Sequence, residues 1–168
     1  MMEIKFRKAS PNEIDVALFL LKQAAKTLAQ KGIDQWAYWT NPPQEKVDWV
    51  KAGFAKGEFC FVENEAKQVM AMFRLLNEDT LYWGQMVEEA RYIHSLVVHK
   101  DFTGNKLGQR IVAELEKQTV AEGVNLLRLD CDATNTQLCK YYINRGFIQV
   151  GVKDLPLGKY NLYEKALC

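Results

Sequence analysis

The sequence contains few of the residues that form metal sites, disulfide frameworks or membrane segments. Its 168 residues include two histidines and four cysteines, and no two cysteines form a CxxC pair. Structural zinc and disulfide bonds are therefore not expected. No apolar run approaches the roughly 20 residues that cross a bilayer, and residues 1–7 lack the apolar core of a secretory signal. These absences predict a cytoplasmic protein with no metal cofactor and no membrane partner.

Neither sign of charge is in excess. Lys and Arg number 22 against 21 Asp and Glu, which gives a net charge of +1. A nucleic-acid-binding domain is expected to carry a basic stripe with interleaved aromatic residues, whereas the charges here alternate in sign. Nucleic acid is therefore the least favoured partner, and a small molecule is the favoured one.

The order of periodic segments predicts one α/β domain over residues 1–168. Hydrophobic residues make up 48% of the chain and charged residues 26%, as in globular domains, and no repeat or linker divides it. Ser10 and Glu13 form a capping box before the first helix, and Gly32 ends that helix. Apolar runs predict strands at residues 4–7, 59–63, 69–76, 92–98, 125–131, 147–152 and 160–167. A hairpin followed by a strand-helix-strand unit predicts a mixed, mostly antiparallel sheet flanked by helices.

A glycine-containing loop stands where the fourth strand is followed by a helix. Its sequence is TGNKLG, residues 103–108. The first N–H groups of a helix have no partner within the helix, and they lie at its positive end, so such a turn binds anions. Gly104 permits a tight turn, and Lys106 adds a positive charge. Neither the Walker A pattern nor the dinucleotide GxGxxG pattern is present.

This strand, loop and helix resemble motif A of the GNAT superfamily of N-acetyltransferases, whose usual loop is Arg/Gln-x-x-Gly-x-Gly/Ala. Thr103 stands in place of Arg or Gln, Lys106 in place of the middle Gly, and Gly108 matches the last position. The resemblance implies a GNAT-like fold with acetyl-CoA as co-substrate. It also implies that loop amides hold the pyrophosphate and that the backbone of 96–98 pairs with the pantetheine arm. The implied cofactor-binding residues are Leu96, Val97, Val98, Thr103, Gly104, Asn105, Lys106, Leu107, Gly108 and Gln109.

A second segment, NTQLCKYYINRGF at residues 135–147, resembles motif B of the same superfamily, Asn-x-x-Ala-x-x-x-Tyr-x-x-x-Gly-Phe. Leu138 occupies the Ala position. The resemblance implies that Asn135 contacts the cofactor arm and that Tyr142 lies near the thioester sulfur. A phenol with a pKa near ~10 stays protonated at neutral pH and can protonate a departing thiolate, whose thiol has a pKa near ~8.5. Tyr142 is therefore the predicted acid.

The general base is open between a histidine and several carboxylates. An amine acceptor arrives mostly as ammonium and must lose a proton before it attacks. Strand alternation puts His94 on one face with Leu96 and Val98, and a histidine titrates near neutral pH, so His94 is the candidate base. Carboxylates that act through water are the alternative, and the sequence does not rank them. They are Glu63, Glu78, Asp130 and Asp132.

Three tryptophans are candidate acceptor-binding residues. Trp36 and Trp39 follow the first helix in the segment KGIDQWAYW, where the related fold closes over its acceptor, and Trp83 lies in the mixed segment before the fourth strand. Together they suggest an acceptor with an apolar or aromatic part, although tryptophan also packs in cores and interfaces.

The leading functional hypothesis is an acetyltransferase that moves an acetyl group from acetyl-CoA to a primary amine of a small molecule, by direct attack in a ternary complex. One alternative is the acetylation of a protein N-terminus or lysine. Another is a non-catalytic acyl-CoA-binding module, which would bind the cofactor without transfer. Whether the strands at the end of the chain also form a homodimer stays open.

Overall fold

The computed structural model describes residues 2–168, whose helices and strands follow the predicted order. The strands are β1 (Lys5–Lys8), β2 (Phe59–Glu63), β3 (Val69–Leu76), β4 (Arg91–Val98), β5 (Leu126–Asp132), β6 (Ile148–Leu155) and β7 (Gly158–Ala166). The helices are α1 (Ile14–Gln30), α2 (Gln44–Ala55), α3 (Thr80–Trp83), α4 (Leu107–Ala121) and α5 (Thr136–Asn144). Over residues 2–168, none of the helices has the combined length and apolarity that crossing a bilayer requires.

The seven strands form one sheet in the order β1-β2-β3-β4-β5-β7-β6. The pairs β1–β2, β2–β3, β5–β7 and β6–β7 are antiparallel, whereas β4 and β5 run parallel. The parallel pair follows from α4, because a strand that returns in the same direction needs a crossover connection. The predicted mixed, mostly antiparallel sheet with flanking helices is therefore confirmed.

The chain divides into two compact units. Among the described residues, unit 1 extends to Leu75 and also includes Ser95–Gln109. Its core combines the apolar stripe of α1 with aromatic residues of α2 and β2, including Leu20, Leu21, Phe54, Phe59 and Phe61. The predicted capping box is present, since the Ser10 N–H donates to the Glu13 carboxylate at 2.8 Å. A hydrogen bond from Arg7 helps to lower the pKa of Glu13 to about 2.

A buried arginine packs closely against α2 in unit 1. Arg74 is 3% exposed. Its Nε and Nη2 donate to Glu58 Oε1 at 3.1 and 2.7 Å, and its Nη1 donates to the Trp49 carbonyl oxygen at 3.0 Å. Its guanidinium also lies 4.0 Å from the centre of the Trp49 ring. Gly53 faces this arginine, which these contacts hold in place.

We expect Gly53→Ala to destabilise the protein by about 1–3 kcal/mol through overpacking, although alanine in a helix is usually favoured over glycine by about 1 kcal/mol. A Cβ at this position would lie 2.5 Å from Phe59 Cε2 and 2.8 Å from Arg74 Cζ. Urea unfolding measures the effect. Gly108→Ala is the matched control, because a Cβ at 108 meets no atom within 4 Å. Equal stability of Gly53→Ala and the wild type would contradict this packing.

Unit 2 consists of Leu76–His94 and Arg110–Cys168. On β5, Leu127, Leu129 and Cys131 are buried at 0 to 2% exposure, and the residues between them, Arg128, Asp130 and Asp132, are charged. This alternation gives β5 one apolar face and one charged face. The Cys139 thiol donates to the Cys131 sulfur at 3.4 Å, and no disulfide joins the two residues. Burial raises the pKa of the Cys131 thiol, which disfavours its reactive thiolate.

Candidate functional site

The loop between β4 and α4 lies in unit 1 and has the backbone shape of a tight glycine turn. Gly104 has φ 88° and Lys106 has φ 54°, so both are left-handed. A glycine adopts this conformation without steric cost, whereas a residue with a Cβ adopts it rarely. Position 106 is a glycine in the usual motif A and a lysine here. The Lys106 backbone nevertheless keeps the left-handed conformation that glycine favours.

The side chains of the loop leave its backbone accessible. Thr103, Gly104, Asn105 and Lys106 are exposed, while Leu107 is buried at 2% exposure and anchors the start of α4. The Thr103 hydroxyl donates to the Lys100 carbonyl oxygen at 2.9 Å. Gly108 and Gln109 follow in the first turn of α4, where N–H groups have no partner within the helix. These groups and the Lys106 ammonium suit an anionic ligand.

The end of β4 departs from a regular strand. Ser95 has φ 52°, and a left-handed residue within a strand shifts the alternation of the side chains that follow it. The prediction that His94 shares a face with Leu96 and Val98 assumed unbroken alternation, which does not hold here. Val97 is 4% exposed and belongs to the core of unit 1. Leu96 and Val98 are half-buried.

Asn135 and Tyr142 lie in unit 2, at the start and in the last turns of α5. Asn135 Oδ1 accepts the Leu138 N–H at 3.2 Å and so caps the helix. Tyr142 is 8% exposed and packs against Phe147, with ring centroids 5.7 Å apart. Burial raises the pKa of Tyr142 above its ordinary value. Its phenol therefore stays protonated at neutral pH, as an acid must.

His94 is held between two carboxylates within unit 2. Its Nε2 lies 2.5 Å from Asp79 Oδ2, and its Nδ1 lies 3.3 Å from Asp130 Oδ2. The three side chains are buried, with exposures of 8% for His94, 5% for Asp79 and 10% for Asp130. Asp130 was one of the four alternative bases, and the structure pairs it with His94. Asp79 was missed by the sequence interpretation.

Asp79 carries a local signal that could have identified it. It stands before the short helix α3, and its Oδ1 accepts the Tyr82 N–H at 3.3 Å. An Asp before a helical turn that ends at Gly84 has the pattern of an N-cap. The hydrogen bond from the Tyr82 N–H orients the Asp79 carboxylate, and its other oxygen, Oδ2, contacts His94 Nε2.

The remaining carboxylates have other surroundings. Glu63 accepts a hydrogen bond from Arg7 at 3.0 Å in unit 1, Asp132 Oδ1 accepts hydrogen bonds from the N–H and hydroxyl of Thr134, and Glu78 is exposed.

Asp79, His94 and Asp130 are also candidate ligands of a divalent cation, because their oxygen and nitrogen atoms lie within 4.8 Å of one another. The 2.5 Å contact between Asp79 and His94 is a hydrogen-bond distance. It is shorter than the roughly 3 Å that separates two ligand atoms on one cation when each bond is about 2 Å.

The predicted acceptor tryptophans lie in different surroundings. Trp39 is 4% exposed within the core of unit 1, and the half-buried Trp36 packs against the same core. Trp83, in unit 2, contacts Tyr92 with ring centroids 5.7 Å apart and lies under the Arg128 guanidinium at 5.1 Å. Among residues 2–168, the buried Trp83 Nε1 has no hydrogen-bond partner. An acceptor role for these tryptophans stays a prediction.

A cavity of about 420 Å³ lies in unit 2, lined by the segment from Asn77 to Tyr92. Four carboxylates line it, and Arg91 contributes the one guanidinium of its lining; the acidic residues are Glu78, Asp79, Glu88 and Glu89. A cavity with this excess of negative charge favours a cationic molecule. Asp79 connects the cavity wall to His94.

Comparison with known proteins identifies the family. The profile of the acetyltransferase (GNAT) family matches residues 32–147, well over half of the chain. The protein is 28% identical over 153 residues to the uncharacterized N-acetyltransferase YesJ of Bacillus subtilis (strain 168). The alignment covers 88% of this chain and 82% of YesJ.

Solved structures share the fold. A GNAT-family acetyltransferase from Listeria monocytogenes 4b F2365 superposes with a TM-score of 0.81 at 26% identity, over 99% of this chain and 96% of that one. The PaiA N-acetyltransferase of Thermoplasma acidophilum, determined in complex with coenzyme A, superposes with a TM-score of 0.61 at 17% identity, over 98% and 99%. From the family match and the shared fold, the chain belongs to the GNAT acetyltransferase family.

Proposed function

We propose that the protein transfers the acetyl group of acetyl-CoA to a primary amine of a small molecule, by direct attack of the amine in a ternary complex. The observation that carries the proposal is the loop of residues 103–108, where Lys106 keeps a backbone conformation favoured by glycine at the start of α4. The GNAT family match and the coenzyme A bound to PaiA support the same cofactor.

In this proposal the cofactor is held mainly by backbone groups. The loop N–H groups and the start of α4 bind the pyrophosphate, and Lys106 adds its charge. The backbone of Leu96, Val97 and Val98 pairs with the pantetheine arm, and Asn135 contacts the same arm. Main-chain contacts tolerate changes of side chain, so we expect Thr103 and Lys106 to be compatible with cofactor binding.

The chemistry assigned to the protein is proton transfer. The acceptor ammonium loses a proton to a base, for which His94 is the proposed residue. The neutral amine attacks the thioester carbonyl carbon, the C–S bond breaks, and the departing thiolate takes a proton from the Tyr142 phenol. The new amide nitrogen then releases its second proton, which restores the Tyr142 phenol. The raised pKa of Tyr142 keeps this proton available throughout the neutral range.

The acceptor is proposed to be cationic because of the cavity lined by residues 77–92. Glu88 pairs with Arg128 and Glu89 with Arg91, and the two other carboxylates, Glu78 and Asp79, give the wall a net negative charge. This charge raises the local concentration of an ammonium compound. Met86 and Val87 line the same cavity, and in this proposal they contact an apolar part of the acceptor. A small primary amine with a short apolar chain fits both features.

We expect Gly108→Asp to weaken acetyl-CoA binding at least about tenfold, which corresponds to about 1.4 kcal/mol, without loss of stability. A Cβ at this position meets no protein atom within 4 Å, and an acidic residue in the first turn of a helix is favourable for the helix. Its negative charge would repel a phosphate that binds at the first turn of α4. Isothermal titration gives the affinity, and thermal unfolding gives the stability.

Gly108→Ala is the matched control for cofactor binding. It adds a Cβ at the same position without a charge, and this Cβ meets no protein atom within 4 Å. Alanine is also a usual residue at this position of motif A, so this variant should bind acetyl-CoA as the wild type does. Equal affinity of Gly108→Asp and the wild type would contradict the assignment of the phosphate site.

Two alternatives give different results in the same assays. A protein N-terminal or lysine acetyltransferase would acetylate peptides in preference to small amines. A non-catalytic module would bind acetyl-CoA and leave every acceptor unmodified. Mass spectrometry of a panel of small amines and peptides incubated with acetyl-CoA separates the three.

A further inference from the structure

His94 has different contacts at its two ring nitrogens. Nε2 lies 2.5 Å from Asp79 Oδ2, a close charge-assisted contact, whereas Nδ1 lies 3.3 Å from Asp130 Oδ2. A proton on Nε2 is therefore bound more firmly than a proton on Nδ1. Nδ1 is therefore the nitrogen at which a proton is exchanged more easily.

The fold fixes this geometry from two directions. The N-cap bond to Tyr82 N–H orients Asp79, and the Tyr82 ring lies 5.0 Å from the His94 ring. Tyr160 packs behind Tyr82, with ring centroids 5.2 Å apart. On the other side, the parallel β4 and β5 pair Ile93 with Leu129, which brings the next residue of β5, Asp130, beside His94.

We propose that Asp79 is a positioning residue that keeps one proton on His94 Nε2, so that Nδ1 and Asp130 together receive the proton of the acceptor ammonium. This inference rests on the proposed function and deepens it. His94 and Asp130, which the sequence left as rival bases, then act as one unit. The pairing of a carboxylate with one imidazole nitrogen, so that the other can act as base, is a general device of acid–base catalysis.

The proton balance is simple. Before the reaction the ring carries one proton, on Nε2, and both carboxylates are ionised, so the cluster has a charge of −2. The ammonium N–H bond breaks, its electron pair stays on the amine nitrogen, and the proton passes through Asp130 to Nδ1. The cluster then has a charge of −1, and it returns the proton to water after the acetyl group has moved.

The charged groups around His94 determine the sign of the pH dependence. Asp79 and Asp130 face the ring, and both stabilise its protonated form. The nearest cation on the same face of β5, Arg128, is bound to Glu164 and Glu88 at 2.7 and 3.0 Å. The remaining neighbour on that face of β4, Tyr92, accepts a hydrogen bond from Arg128 at 2.8 Å. Removal of either carboxylate charge therefore weakens the binding of a proton by His94.

Asp79→Asn separates this role from folding. Asparagine caps helices as well as aspartate does, so α3 keeps its start. The amide NH₂ facing Nε2 would donate to that nitrogen, so the ring proton would move to Nδ1, where it blocks proton uptake. Asp132→Asn is the matched control, because it removes a charge from β5 at a residue that bonds to Thr134 instead.

The test combines NMR titration of the cofactor-free protein with the pH profile of acetyl transfer. The chain has two histidines, so the ¹⁵N resonances of His94 are those absent from a His94→Gln sample. We expect the titration midpoint of His94 and the acid limb of kcat/KM to fall together in Asp79→Asn, by about one to three pH units. We also expect turnover at the alkaline plateau to fall about 100-fold or more.

Asp79→Glu should recover part of the shift, and Asp132→Asn should change neither midpoint. A His94 midpoint that is unchanged in Asp79→Asn would overturn the inference. So would a shifted NMR midpoint with an unchanged kinetic profile, because His94 would then be held by Asp79 without serving the reaction. A wild type that transfers no acetyl group would refute the proposed function instead, and the catalytic part of the inference with it.

Discussion

Tyr142→Phe is expected to lower turnover by a factor of about 10² to 10⁴, the usual contribution of a general acid, and to leave acetyl-CoA affinity nearly unchanged. The hydroxyl is lost, but the buried ring that packs against Phe147 and Tyr163 remains. Because burial places the pKa of Tyr142 above 10, the required phenol form is present throughout the neutral range and is lost only in strong base. The wild-type rate should therefore show no fall due to this group below about pH 10.

Tyr141→Phe is the matched control for this prediction. Tyr141 is the adjacent residue and is half-buried, with its ring 5.3 Å from that of Tyr142. Loss of its hydroxyl should leave turnover close to that of the wild type. Steady-state kinetics and titration of acetyl-CoA should be measured on both variants. If Tyr142→Phe keeps wild-type turnover, another group supplies the proton.

Arg128→Met is expected to destabilise the protein by about 2–3 kcal/mol, because hydrogen bonds to charged groups contribute about 1.5–3 kcal/mol. Arg128 is 1% exposed and donates to Glu164 at 2.7 Å and to the Tyr92 hydroxyl at 2.8 Å. Its guanidinium also stacks 5.1 Å from the centre of the Trp83 ring. Methionine fills a similar length but leaves Glu164 and the Tyr92 hydroxyl without this donor.

Thermal and urea unfolding measure this effect. A loss of about 3 kcal/mol should lower the melting temperature by about 6–12 °C in a chain of this size. Arg91→Met is the control, because Arg91 pairs with the exposed Glu89 and Glu122, and exposed ion pairs contribute about 0–1 kcal/mol. Equal losses for the two variants would show that the buried network has no special stabilising role.

The sequence predicted the fold through local signals. The capping box at Ser10 and Glu13, the glycines that end α1 and α5, and the hairpin of β2 and β3 each depend on residues close together in the chain. Motif A and motif B were recognisable for the same reason. The family match then confirmed the fold and the acetyltransferase assignment.

The His94 cluster was only partly predictable because its members are distant in sequence. Asp79 lies in a mixed segment without periodicity, so the four-residue helix α3 that it caps was not predicted. Asp130 meets His94 through the register of β4 and β5, which no local pattern specifies. The left-handed conformation of Ser95 was not predicted, because the apolar run at residues 92–98 is typical of an uninterrupted strand.

Other predictions remain open. The aromatic segment near Trp36 suggested a pocket, yet Trp39 is a core residue of unit 1, because an aromatic run in the sequence is compatible with either surrounding. The edge strand β6 exposes Ile148, Val150 and Val152, and the homodimer stays a prediction. The cytoplasmic location and the single-domain boundaries, residues 1–168, also stay predictions.

The proposed acetyl transfer depends on the binding of acetyl-CoA at the loop of residues 103–108. We would first titrate acetyl-CoA into the wild type by isothermal calorimetry, with dephospho-CoA and ATP as comparison ligands. We expect one selective site with a dissociation constant in the micromolar range, about −8 kcal/mol at 1 μM, and weaker binding by Gly108→Asp. If a folded wild type binds no acetyl-CoA, the loop is not a cofactor site and the proposed acetyl transfer is wrong.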